Sequence, residues 1–96
     1  MRGPDESIRL AVKESLAALA KKAPGHSVEV RIPPYAVTQC IPGVRHRRGT
    51  PPAVVETDAD TWLALARGEL TWVDAASQGR IRASGERSDL SAYLPL

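Results

Sequence analysis

The spacing of apolar residues changes along this chain from helical to alternating, then back to helical, and this order restricts the fold more than any other feature. The first 25 residues carry apolar side chains every three or four positions, which places them on one face of a helix. We therefore predict an amphipathic, core-packing helix over 5–22, with Asp5 as its N-cap and Pro24-Gly25 as its end. Its apolar face consists of Ile8, Val12, Leu16, Leu19 and Ala23.

Alternating segments follow directly. VEVRI at 28–32 places Val28, Val30 and Ile32 on one face and charged residues on the other, which is typical of a half-buried strand. Pro33-Pro34 ends it, because proline cannot donate to a strand ladder. Three more strands are predicted, at 35–41, 53–57 and 80–84, and a turn-rich connector at 42–52. In the last strand, Ile81 and Ala83 are expected to face the core.

Two short helices are predicted between the third and fourth strands. Residues 58–67 begin with a Thr57 or Asp58 cap and end at Gly68, while residues 72–78 begin with a Thr71 cap and end at Gly79. SDLSAYLPL at the C-terminus predicts a short terminal helix that carries Leu90, Tyr93 and Leu94 onto the body. The order α-β-β-β-α-α-β-α predicts an α+β fold with a mixed sheet covered by helices, in a single domain spanning residues 1–96.

Composition narrows the classes of function. The net charge is +2, a balance that does not require a nucleic-acid or anionic-membrane partner. The chain has no Phe and two Trp, so the indoles are expected to anchor the core or line a pocket. A single cysteine excludes an internal disulfide and fits a reducing compartment. With acidic residues early in the chain and no apolar stretch of spanning length, we expect a cytoplasmic protein without membrane insertion.

No residue pattern indicates catalysis, a metal or a cofactor. His26 and His46 have no cysteine or acidic residue at the spacing of a metal site, and Cys40 has no neighbouring base. Asp58 and Asp60 are explained as first-turn acids of a helix. We therefore expect Cys40 to be a buried structural thiol and the protein not to be an enzyme.

Two basic segments are candidates for phosphate or nucleic-acid binding. GRIRASG at 79–85 lacks the Gly-Lys-Ser/Thr ending of a phosphate loop and fails the dinucleotide pattern. RHRR at 45–48 has no aromatic residue beside it on which bases could stack. A solvated loop is favoured there, and nucleic-acid binding through 45–48 stays open as the weaker alternative.

Residues 53–96 combine several motifs in a fixed order. An acid-capped helix contains Trp62 and ends in LARGEL at 65–70. The Ala75-Ala76 pair, the GRIRASG strand, and an apolar end from Leu90 to Leu96 follow. This order resembles the second half of the sterol carrier protein type 2 domain, and the whole chain is most similar to its short bacterial members. The first half of the chain agrees in outline, as a helix followed by strands.

The resemblance implies a five-stranded mixed sheet, of which the residue patterns support four strands, and an apolar tunnel for a lipid, fatty acyl chain or sterol-like ligand. It implies carriage without catalysis. Since the chain is short, its pocket is expected to be small, open, or completed by a second copy in a homodimer. A protein-interaction or accessory domain without lipid binding is the alternative. Arg80 or Arg82 is expected to orient a lipid head group. The expected ligand-binding residues are Val55, Trp62, Leu65, Trp72, Ile81, Leu90 and Leu94.

Overall fold

A mixed sheet and three α-helices form the body of the computed structural model, which describes residues 5–43, 53–85 and 88–96. The predicted α+β order is confirmed, with the terminal helix reduced to a 3-10 turn at Ser91–Tyr93. The other elements are α1 (Glu6–Lys22), β1 (Val28–Ile32), β2 (Ala36–Cys40), β3 (Ala53–Thr57), α2 (Ala59–Arg67), α3 (Trp72–Ser77) and β4 (Ile81–Ser84).

The helices begin where their capping residues predict. Side-chain oxygens of Asp5, Asp58 and Thr71 accept backbone N–H groups of the first turns of α1, α2 and α3 at 2.8, 2.7 and 3.1 Å. Asp58, and not Thr57, therefore caps α2. The Thr57 hydroxyl instead donates to the backbone oxygen of Arg80 at 2.7 Å, which ties the end of β3 to the start of β4.

The sheet has the strand order β2-β1-β3-β4. β1 pairs antiparallel with β2 and parallel with β3, and β3 pairs antiparallel with β4. Val30 lies opposite Thr38 on one side and Val55 on the other, while Val55 in turn lies opposite Ala83. The sheet therefore has four strands within the described residues, the number that the residue patterns supported.

The two faces of the sheet differ in polarity. The buried face carries Val28, Val30, Ile32 and Val55, all fully shielded from solvent. On the opposite face, the Arg31 guanidinium and the Glu29 carboxylate lie 2.6 Å apart. This confirms the alternation predicted for 28–32.

β4 is less covered than the sequence predicts. Ile81 is half-buried, but Ala83 is exposed, although it lies opposite the buried Val55. The expectation that Ala83 faces the core is therefore wrong, because the helices leave this end of the edge strand open. Alternation alone specifies which face a side chain is on, but not whether anything covers that face.

Trp62 is the largest buried side chain and joins α2 to α1. It has no solvent exposure, and its indole N–H donates to the Ser15 hydroxyl at 2.7 Å. Ser15 donates in turn to the backbone oxygen of Val12 at 2.8 Å. In a chain with so few large side chains, the indole ring fills the core while its N–H links the two helices.

The C-terminal segment, residues 88–96, packs across the body as predicted. Leu90 is fully buried and anchors one end. At the other end, the Lys22 ammonium donates to the backbone oxygens of Tyr93 at 2.9 Å and Pro95 at 3.3 Å. The backbone N–H of Leu96 donates to the backbone oxygen of Ala66 at 2.9 Å. Lys22 thus connects the end of α1 to the C-terminal segment.

Replacing Lys22 with methionine should loosen this segment. We expect hydrogen exchange of a peptide covering residues 90–96 to become about fivefold faster, as expected when about 1 kcal/mol of hydrogen bonding to a charged group is lost. Lys21→Met is the matched control, because the Lys21 side chain is exposed and makes no hydrogen bond or ion pair within the described residues. Equal exchange in the two variants would contradict a fastening role for Lys22.

Candidate functional site: an apolar cleft beside α2 and α3

An apolar cleft of about 290 Å³ lies where α2 ends and α3 begins, and the C-terminal segment forms its opposite wall. Its α2–α3 side carries Leu65, Leu70, Trp72 and Val73, and the opposite side carries Leu94 and Pro95. The other lining residues are Gly68, Thr71 and Ser91. The cleft is therefore bounded by aliphatic, proline and indole surface, with two hydroxyl groups among it.

Local sequence explains how this cleft forms. Gly68 adopts φ +78°, a conformation that glycine tolerates at the end of a helix, and so stops α2 after Arg67. Thr71 then caps α3 three residues later. The tight turn brings Leu65 from α2 together with Trp72 from α3. Across the turn, a Cβ added at Gly68 would lie 3.4 Å from Pro95, so the missing side chain lets the two walls approach each other closely there.

Three of the seven residues expected to bind ligand line this cleft, namely Leu65, Trp72 and Leu94. Three others, Val55, Trp62 and Leu90, are fully buried in the core. Ile81 is half-buried and lines a different depression beside β3 and β4, together with Arg82. Sequence reasoning missed most of the α2–α3 turn and the far wall, that is, Gly68, Leu70, Thr71, Val73, Ser91 and Pro95.

Arg80 and Arg82 lie in another place, in a polar cavity of about 280 Å³ at the carboxyl end of β3, shared with Glu56 and Asp58. The Arg80 guanidinium donates through Nε to the Thr61 hydroxyl at 3.0 Å. This cavity lies at the start of α2, whereas the apolar cleft lies at its end. The two arginines are therefore not among the residues that line the apolar cleft.

The described residues contain no group of three His, Cys, Asp or Glu side chains that could hold a metal ion. His26 contacts Gln39 through Nδ1 at 2.9 Å. His46 and the basic run 45–48 lie outside the described residues. Cys40 is fully buried at the end of β2, and burial raises the pKa of its thiol to about 11, which makes it a poor nucleophile at neutral pH.

The raised pKa of Cys40 predicts a loss of stability in alkali. The folded protein holds the thiol proton more tightly than an ordinary cysteine with a pKa of 9.0, so this contribution is complete below pH 9 and disappears as the pH rises through about 11. We expect the free energy of unfolding to fall by roughly 2–3 kcal/mol over this interval beyond the fall seen in Cys40→Ala. Parallel pH dependences of the two proteins, measured by urea unfolding, would contradict the prediction.

No helix in the described part of the chain is long and apolar enough to cross a membrane. A four-stranded mixed sheet covered on one face by helices defines an α+β domain. The sequence assigns this domain to a family, because the family described as bacterial SCP ortholog matches residues 4–96. The chain therefore belongs to the bacterial SCP ortholog family of sterol carrier protein-like domains. A search of curated proteins finds no match to it.

Proposed function

We propose that this protein binds a small apolar or amphipathic ligand in the cleft between α2, α3 and the C-terminal segment, and releases it without chemical change. The observation that carries the proposal is the cleft itself, which combines an apolar lining with the half-buried indole of Trp72. Covering such surface with a ligand is favourable by roughly 25 cal/mol per Å² before the costs of association. Membership of the SCP family supports a carrier function of this kind.

The size of the cleft limits its occupant. A water molecule takes about 30 Å³ of liquid volume, so 290 Å³ corresponds to about ten such volumes. This is at the lower end of the range for small-molecule sites. A ligand of about ten non-hydrogen atoms fits the cleft as it stands, and a longer chain has to extend past the rim or displace the C-terminal segment.

Trp72 provides a direct test. The Trp62→Phe variant leaves Trp72 as the only indole, so its fluorescence reports on the cleft. We expect titration with 1-decanol to shift this emission to shorter wavelength and to saturate, and native mass spectrometry of freshly purified parent protein to show a bound lipid-like mass. An unchanged spectrum together with a clean apo mass would overturn the proposal.

A protein-interaction role is the second candidate, and the exposure of Val73 favours it. Val73 is 70% exposed at the rim of the cleft, so the apolar surface continues beyond the cavity. Analytical ultracentrifugation separates the two functions. Concentration-dependent association without ligand uptake would favour the interaction domain, and a monomer that takes up 1-decanol would favour the carrier.

A further inference from the structure

We infer that the cleft selects a ligand with an uncharged polar group that accepts hydrogen bonds, such as an alcohol or an ester, over carboxylates and ammonium ions of the same chain length. This inference rests on the proposed function. It comes from the chemistry of the lining: among the described residues, none of the nine that bound the cleft is ionisable. The lining residues with polar side-chain groups are Thr71 and Ser91, which carry hydroxyls, and Trp72, which carries an indole N–H.

Each of these three groups has a hydrogen left to donate. The Thr71 hydroxyl oxygen accepts the Asp74 N–H at 3.1 Å as part of the α3 cap, and its own hydrogen is not used by that contact. Ser91 donates its backbone N–H to the Asp89 carboxylate at 2.8 Å, but its hydroxyl donates to no described residue. The Trp72 indole likewise has no acceptor within the described residues. A ligand oxygen with lone pairs suits this set.

The described cations beside the cleft and near its helices are absent from its lining. The Lys22 ammonium donates to the backbone oxygens of Tyr93 and Pro95, and these two hydrogen bonds hold the C-terminal wall. Lys22 itself does not line the cleft. Arg67 lines a separate depression between α1 and α2, which also contains Glu14. Arg80 and Arg82 line the polar cavity at the other end of α2. No described cation therefore lines the cleft.

Acidic residues flank the lining in sequence. Glu69 lies between two lining residues, Asp74 follows Val73, and Asp89 is bonded to the Ser91 backbone. These exposed carboxylates repel an anionic ligand. None of them lines the cleft, so a cationic ligand that enters loses its hydration water without gaining a counter-ion inside. An alcohol or ester exchanges its water contacts for the lining donors at little net cost.

The test compares three ligands with the same ten-carbon chain at pH 7.5: 1-decanol, decanoate and decylammonium. Isothermal titration should show 1-decanol binding about tenfold or more tightly than either ion. If all three bind with equal affinity, the inference is wrong and the proposed function stands. If none of them binds, the proposed function itself fails.

A gain-of-function variant locates the selection in the cleft. Ser91→Lys places a cation on the lining and should raise decanoate affinity about tenfold while weakening 1-decanol. Ala92→Lys is the matched control, because Ala92 is exposed, adjacent in sequence and absent from the lining. An equal gain in the control would overturn the inference, since the protein's overall charge would then govern binding. No gain from Ser91→Lys would also overturn it.

Discussion

Replacing Gly25 with alanine is expected to destabilise the protein by about 4 kcal/mol or more, which is enough to unfold a domain of this size. A Cβ at this position would lie 2.1 Å from the backbone oxygen of Ile41 and 2.7 Å from the backbone nitrogen of Pro42. Gly25 also has φ +153°, which L side chains rarely adopt. The clash is with backbone, so no side-chain rotation relieves it.

The atoms in the way cannot move freely either, because Ile41 is part of a local network. Its oxygen accepts the Ser27 N–H at 3.2 Å and the Ser27 hydroxyl at 2.6 Å, and its N–H donates to Ala23 at 2.6 Å. Shifting Ile41 to admit a methyl group would break the bonds that hold the end of α1 against the sheet. These groups are buried, so each broken bond leaves an unsatisfied polar atom.

Gly79→Ala is the control for this prediction. Gly79 has φ +70°, but no atom lies within 4 Å of its ideal Cβ. Gly79→Ala should therefore lower the free energy of unfolding by only about 1–2 kcal/mol, the cost of a left-handed backbone conformation for an L residue. Urea unfolding followed by circular dichroism measures both variants. Equal destabilisation would show that backbone conformation, and not the contact with Ile41, sets the requirement for glycine at position 25.

The contrast between these two glycines shows what the sequence can and cannot predict. Helix and strand boundaries depend on short-range patterns and capping groups, so the sequence predicts Asp5 and Thr71 correctly as N-caps and narrows the cap of α2 to Thr57 or Asp58. For Gly25, the sequence predicts only a place in the end of a helix. Its close approach to Ile41 joins positions 16 residues apart, and no local pattern encodes such a contact.

For the candidate site too, the sequence predicts local features but not tertiary contacts. Apolar residues in α2, α3 and the terminal segment were predicted to face inward, but burial alone does not separate core from cleft. Trp62 and Trp72 look alike in sequence, yet Trp62 is fully buried between α2 and α1, and Trp72 is half-buried and lines the cleft. The difference arises because α2 ends at Gly68 and the C-terminal segment returns opposite α3, a tertiary arrangement.

The far wall was the part least accessible to sequence reasoning. Ser91 and Pro95 have no periodic signal, and they reach the cleft because Lys22 and Ala66 hold the chain beside them. Leu94 was identified from its apolar character alone. It is the only one of the seven expected ligand-binding residues that lies on this wall. A substitution at Leu94 therefore tests the contribution of the wall to binding without changing α2 or α3.

Leu94→Glu is expected to abolish most ligand binding while leaving the fold intact. Leu94 is half-buried, so its loss should cost stability about 1 kcal/mol, whereas binding loses both an apolar contact and the uncharged character of the lining. We expect affinity for 1-decanol to fall about thirtyfold, which corresponds to roughly 2 kcal/mol. Isothermal titration measures it directly.

Leu10→Glu is the matched control for Leu94→Glu. Leu10 is 60% exposed on α1 and does not line the cleft, so the same change in side chain and charge should leave affinity within about twofold of the parent. An equal loss in both variants would mean that 1-decanol adsorbs to apolar surface in general. Unchanged binding in Leu94→Glu would place the ligand somewhere other than this cleft, because a carboxylate on its wall has to disturb any apolar occupant.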